Sequence, residues 1–361
     1  TQNAPAYFGG GVFWVEATDL GSARTRLAAT ALAGSGRASL EAVVEIHSQE
    51  PLFRSVLNSK DPLGMAASVV VDSYESALGS YASQVHSNYN GYAYAKRNGD
   101  VCSNQDIRFA SGATVFGDAT PGPGYSCSFS SSTYVSGSTQ AATDVFSFPP
   151  IRVPPTPITG SLTVASNTNS TLAAGTYGFN DLLIDTGARL KVVGPAKIVC
   201  TNFTGAMNGR LEIDATNGPV TIYVQGAYTH VNRFEAVATP GSPMAVAFML
   251  SSAQNISFPP KAKLRGAYYA PNANITFTND DEIWGAFAGN SIGMAAGTRF
   301  HFDESLMDYW NNANGNGDPL EVLVWRRIGV TPHSLLLDHR DPYTVLGVQK
   351  NALMSPEQSW L

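Results

Sequence analysis

The chain has 361 residues, 43% of them hydrophobic and only 14% charged, with a formal net charge of −6. That apolar content excludes a disordered chain, and the acidic balance without a basic stripe argues against a nucleic-acid partner. No run of 18 apolar residues spells a membrane span, and the chain opens on Thr1 without a basic segment leading into an apolar one, so no signal peptide is read in it.

Thr1 to Gly11 is small, polar and Gly-rich, and reads as an extended arm. Asp19 is placed to cap a helix over Leu20–Ala33, and Gly34-Ser35-Gly36 would stop it. Leu40–His47 alternates as a strand, and Ala67–Asp72 reads as another. Ser73–Tyr94 gathers Tyr74, Tyr81, Tyr89, Tyr92 and Tyr94, either as loop packing over a core or as a sugar platform.

From Gly99 the texture repeats. Ile107-Arg108-Phe109 followed by Ala113–Gly117 returns as Cys127-Ser128-Phe129 followed by Ser132–Val135, with the corner Pro121-Gly122-Pro123-Gly124 between them. Cys102 and Cys127 fall near equivalent strands and are the disulfide candidates; Cys200 is the third cysteine. Pro149–Pro157 is an extended Pro-rich segment, either a linker between domains or a strap across the surface. Short strands then follow quickly from Leu162, separated by corners such as Asp185-Thr186-Gly187 and Asn217-Gly218-Pro219.

Leu264–Met294 holds one phrase twice. Displaced by 19 residues, Leu264 meets Ile283, Gly266 meets Gly285, Ala267 meets Ala286, Tyr268 meets Phe287 and Ile275 meets Met294. Apolar runs with Gly and Asn corners at this period describe a β-solenoid, in which each period is one coil stacked on the next. After Asp303-Glu304 the texture ends in a Gly/Asn loop, a strand-like run Leu320–Trp325 and a tail carrying Trp360.

The phrases Ala113–Gly124, Phe148–Pro154, Gly266–Ala273 and Phe300–Leu306, in that order, resemble an uncharacterised bacterial surface β-helix domain associated with type IV pilus proteins of the PilX type, and more distantly bactofilins. The resemblance covers roughly Ser73–Leu306. It implies a right-handed parallel β-helix and a cell-surface or appendage role, and says nothing of a known reaction or of catalytic residues.

Chemical motifs are sparse. Asn279-Asp280-Asp281-Glu282 sits at the corner between the two copies, and Asp280, Asp281 and Glu282 are the candidate ligands for calcium, the one cofactor considered. The same acids would serve a polysaccharide lyase or hydrolase, but no His-Gly or Arg-x-Lys partner follows on the next coils. His301 alternates with Phe300 and Phe302 and is expected to face solvent. Asp303-Glu304 closes the last coil and is expected to bond backbone there.

The expected architecture is therefore mainly β: a right-handed parallel β-helix over 99–306 with a Pro-rich strap at 149–157, an N-terminal α/β region over 1–98, and a capping tail over 307–361. The expected role is a non-enzymatic subunit of an extracellular filament or surface layer, with copies of itself as partners. Tyr7, Phe8, Phe13, Trp14 and Trp360 are the candidate assembly contacts. A polysaccharide-active enzyme or a glycan-binding adhesin of cell-surface polysaccharide is the alternative.

Overall fold

The computed structural model describes residues 6–8, 10–21, 24–34, 36–46, 52–231, 233–239, 246–260, 263–306 and 320–330. It is mainly β, with two compact units: residues 1–49 with 314–361, and residues 50–313.

The smaller unit is one antiparallel sheet with strands Ala6–Phe8, Gly11–Gly21, Arg24–Ala33, Gly36–Ile46 and Leu320–Val330 in that order. The helix expected over Leu20–Ala33 is not formed. Arg24–Ala33 pairs with a strand on each side, Thr30 facing Trp14 and Ser39, and Gly34 at φ +55° turns the chain into the next strand. Alanine fits a helix by propensity, but two ladders of backbone hydrogen bonds outweigh that preference. Leu320–Val330 pairs with Gly36–Ile46, so N-terminal and C-terminal segments share this sheet and the N-terminal region is not α/β.

The larger unit is a parallel β-solenoid of about nine turns. Each turn contributes a strand to each of three sheets. On the first sheet, for example, 196–200 pairs with 175–179 on one side and 220–224 on the other. The doubled phrase occupies two adjacent turns in the expected register from Lys263↔Glu282 to Ala270↔Gly289. The register then shifts by two, so that Ile275 faces Ile292, not Met294. The corner Pro271–Ala273 is longer than its counterpart at Asn290, and the ladder absorbs the excess there.

Spatial order departs from chain order. The solenoid does not begin at residue 99: Leu57–Ser59, Leu63–Met65 and Val70–Tyr74 already form a full coil. The last coil stacks on this first one. Phe287 faces Leu57, Ile292 faces Leu63 and Phe300 faces Val71. On its other side the first coil carries 101–115, which carries 119–135. The chain thus builds three coils, crosses to the far end, and returns coil by coil to the start.

The crossing is made by residues 137–160. Asn104 holds Phe146 through both backbone groups at 3.0 and 2.7 Å, Lys60 lies 5.5 Å from the Phe148 ring, Tyr269 Oη donates to the Pro149 carbonyl at 2.6 Å, and Thr159 N–H donates to Gly178 O at 3.0 Å. Phe148, Ile151 and Val153 pack on the core. The Pro-rich segment is therefore a strap, and the first sheet is buried on both faces: Val220–Val224 and Val246–Leu250 are buried throughout. A strap without N–H groups at its prolines suits this position, since it asks for few ladder partners.

Inside, rings stack along the axis. Phe248, Tyr268 and Phe287 lie in parallel at 4.5 and 4.8 Å, and Phe258 and Phe277 at 4.9 Å. The rise between hydrogen-bonded strands, about 4.7–4.9 Å, sets this spacing. At the corner held by Gly266 and Gly285, the same rise leaves no room for a side chain. Gly285 has φ +150°, and a Cβ there would sit 1.9 Å from Gly266 O in the preceding coil. Gly293 has open space within 4 Å and no such φ. Gly285→Ala is expected to destabilise the solenoid by on the order of 3 kcal/mol, and Gly293→Ala to stay within about 1 kcal/mol of wild type, as read from urea unfolding curves.

Candidate functional site

Two places in the larger unit carry groups that a plain stack of coils does not need: the seam between the last and first coils, and the two ends.

The seam is polar. Val70–Tyr74 and Arg299–Asp303 run side by side, and the excursion 75–98 lies over the outer face of Val70–Tyr74. Asp72 is fully buried. Its Oδ1 stands 2.6 Å from His301 Nδ1, and its Oδ2 accepts from Tyr81 Oη at 2.8 Å and Ala95 N–H at 3.0 Å. The Tyr81 ring lies on the His301 imidazole at 3.9 Å. Burial, with the Asp72 carboxylate second, pushes the Tyr81 phenol well above its usual range, which keeps it a donor. Beside this group Glu304 receives Ser73 Oγ at 2.9 Å, Lys96 Nζ at 3.0 Å and Asn98 Nδ2 at 3.0 Å, and Asp303 accepts from Ser76 N–H at 3.0 Å.

His301 was expected in solvent and is buried. The alternation correctly points it away from Phe300 and Phe302, but outward here means beneath Tyr81. The Asp303 carboxylate does bond backbone, accepting from Ser76 and Ser305 N–H, though at the seam and not at an end of the solenoid, whereas the Glu304 carboxylate takes side-chain donors. The tyrosine cluster is likewise spent on packing. Tyr94 stacks on Phe116 at 3.9 Å, Tyr89 on Tyr134 at 3.9 Å, and Tyr74 is buried.

The acidic corner does not converge. Asp280 turns the chain at φ +60° and is exposed, Asp281 is buried, and Glu282 points outward from its strand to within 4.0 Å of His301 Nε2. Among the described residues no three His, Cys, Asp or Glu side chains group as a metal site, so the calcium site expected from Asp280, Asp281 and Glu282 is not assembled.

The disulfide expected between Cys102 and Cys127 is not formed, and Cys200 is free as well. Cys102 stands opposite Asn58 and Thr120 on the first sheet, whereas Cys127 stands opposite Ile107 on the second. Their side chains start from different walls of the coil. Burial pushes the Cys102 and Cys200 thiols up to about 12 and Cys127 to about 11.

Of the assembly candidates, Tyr7 is exposed, and Phe13 and Trp14 are half-buried in the small sheet. Ala6–Phe8 already pairs with Gly11–Phe13 of its own chain, so that stretch is not a free donor strand. The Phe8 side chain and Trp360 lie outside the described residues.

Among the described residues, both ends of the solenoid keep open ladders. At one end Cys127–Phe129 and Tyr134–Val135 pair on one side only, with Ile107–Phe109 and Thr114–Val115. At the other, Leu162–Val164 and Asn169–Leu172 pair only with the coil that follows them. Phe129 stacks on Phe109 at 5.2 Å and its other side is exposed. Sequence patterning alone did not reveal these ends, because every coil carries the same texture.

Residues 153–309 match a domain of unknown function, DUF7305. No curated protein matches the chain. Among solved structures, the competence-associated pilin ComZ from Thermus thermophilus aligns over 92% of this chain and 87% of its own at 10% identity, with a TM-score of 0.34. An ice binding protein from an Antarctic bacterium of the Flavobacteriaceae aligns over 68% of this chain and 79% of its own at 12% identity, with a TM-score of 0.27. Among the described residues no helix is long and apolar enough to cross a membrane.

Two predictions follow from the buried groups. Ellman titration should find three thiols in denatured, unreduced protein, and at most the Cys127 thiol in native protein. His230 lies inside the solenoid, 3.3 Å from Tyr228 Oη, and burial lowers its pKa from 6.5 to about 4. The unfolded chain then takes up the proton first. The stability contributed by neutral His230 is full above pH 6.5 and is lost as pH falls toward 4. The melting temperature of wild type should fall over that window more steeply than that of His230→Leu.

Proposed function

We propose that this chain is a structural subunit of an extracellular or cell-surface filament, adding to copies of itself head to tail through its solenoid ends. The observation that carries the proposal is the pair of open ladders. One end offers Cys127, Phe129 and Val135 along its rim, the other Leu162 and Leu172. The three-sheet cross-section is common to both, and all strands run parallel, so one end is a template for the other. Unpaired edges of this kind are normally covered or made short and charged. Here the end strands are short, but Phe129 is left 51% exposed.

An interface between two different ends is heterologous and does not close on itself, so it grows a filament in place of a dimer. The type IV pilus association implied by the sequence resemblance agrees with such a role. Binding by backbone ladders demands no catalytic group.

Electron microscopy of the concentrated full chain should show linear polymers whose subunit repeat equals the solenoid length. Phe129→Glu should shorten or abolish them while leaving the circular dichroism spectrum unchanged. A monomer at all concentrations, indifferent to Phe129→Glu, would overturn the reading.

A further inference from the structure

The seam contains a histidine nitrogen that its own structure leaves unused. His301 is buried, and its Nε2 has no hydrogen-bond partner among the described residues. Everything else about this ring is fixed. Nδ1 donates to Asp72 at 2.6 Å, and Asp72 cannot swing away because Tyr81 Oη and Ala95 N–H hold its second oxygen. Tyr81 lies on one face of the imidazole at 3.9 Å, and Trp284 stands 5.6 Å away from the neighbouring coil. With the proton on Nδ1, the Nε2 lone pair is left to face outward.

What it faces is Glu282. Its Oε1 lies 4.0 Å from Nε2, on the adjacent strand, where Trp284 and His301 are register partners. That is too long for a hydrogen bond. It is close to the separation of two ligands on one ion: a nitrogen and an oxygen each at about 2.1 Å from a tetrahedral centre stand about 3.4 Å apart. The Glu282 side chain is 38% exposed, so it is free to close the difference and solvent can fill the remaining positions.

We infer that His301 and Glu282 bind a divalent transition-metal ion at the seam, with Asp72 as the carboxylate that orients the imidazole. A carboxylate behind a ligating histidine fixes its tautomer and raises its basicity. The metal class follows from the donors and their surroundings. Arg299 is the register partner of Glu282, and Arg265 lies over the Trp284 ring at 4.8 Å. These cations disfavour a hard ion held by charge alone, such as calcium. An ion that gains from imidazole coordination, of the zinc, nickel or copper class, suits the site. Bound there, it would join the two coils that carry Glu282 and His301, next to the closure of the last coil on the first.

The experiment is calorimetric titration of the full chain with zinc chloride and, separately, nickel chloride, against calcium chloride. One equivalent of zinc or nickel should bind, and Glu282→Gln and His301→Gln should each weaken binding at least ten-fold. Asp72→Asn should weaken it by a similar factor. Glu282 is partly exposed, so Glu282→Gln tests the site even if His301→Gln fails to fold. Absence of zinc or nickel binding at millimolar metal overturns the assignment, as does binding that survives both Glu282→Gln and His301→Gln. Calcium binding tighter than zinc would also overturn it.

Discussion

The parallel ladder between coils is the constraint on which the rest of the solenoid depends. Every residue in a coil has a counterpart about 4.8 Å above and below it, and what is placed at one level is imposed on the next. Rings must therefore stack on rings, as Phe248, Tyr268 and Phe287 do. Corners that bring backbone against backbone must be glycine, as at Gly266 and Gly285. Charges on the outer face of the sheet that carries Arg189, Arg210 and Glu235 find acids on neighbouring coils, even though Arg189 and Arg210 stand level with each other. Lys191 meets Asp214 at 2.8 Å, Arg210 meets Glu235 at 3.3 Å, and Arg189 meets Glu212. Such exposed pairs add little stability, but they offset the repulsion of Arg189 and Arg210 stacked at this spacing.

The same constraint makes closure costly in chain entropy. In an unbroken solenoid each coil rests on its immediate predecessor, and contacts stay local. Here the first coil is held between the last coil and the second, and Phe287 pairs with Leu57 across more than half of the sequence. Closing so long a loop sacrifices more entropy than adding the next coil, and it slows folding. The strap offsets part of that loss. It ties 104, 60, 269 and 178, in that spatial order, along a single edge. The buried polar seam then selects one pairing among many similar ones. Any apolar coil could rest on any other, but only Asp72, Tyr81 and His301 satisfy one another.

Legibility in the sequence followed this physics. Where a pattern repeats from coil to coil, it could be read: the 19-residue return gave the register of Lys263–Ala270 against Glu282–Gly289 to the residue. It failed where one copy carried extra residues at Pro271–Ala273, because a corner tolerates insertion that a ladder does not. Arg24–Ala33 was misread as helix because its alanines and arginines favour a helix in isolation, while its strand partners lie outside any local window. The seam was out of reach for the same reason. Asp72 and His301 are 229 residues apart, and neither carries a neighbouring motif. The only local clue was His301 between two phenylalanines, which gave the direction of the side chain but not what covers it.

Seam and ends therefore divide the work of specificity. At the seam, a wrong pairing would bury Asp72 without His301, the one of its three partners that comes from the last coil, and a buried carboxylate that loses a partner is destabilising. That penalty permits one internal arrangement. At the ends no comparable buried carboxylate guards the ladder among the described residues: the rim is exposed Phe129 and half-buried Val135 at one side, half-buried Leu162 and Leu172 at the other. In the filament we propose, the partner at these ends is a second copy of the solenoid, which has the same cross-section and strand direction. Buried charge at its closure, with open ladders at its ends among the described residues, is the asymmetry that the proposed filament role calls for: each unit would close on itself before its ends meet a neighbour.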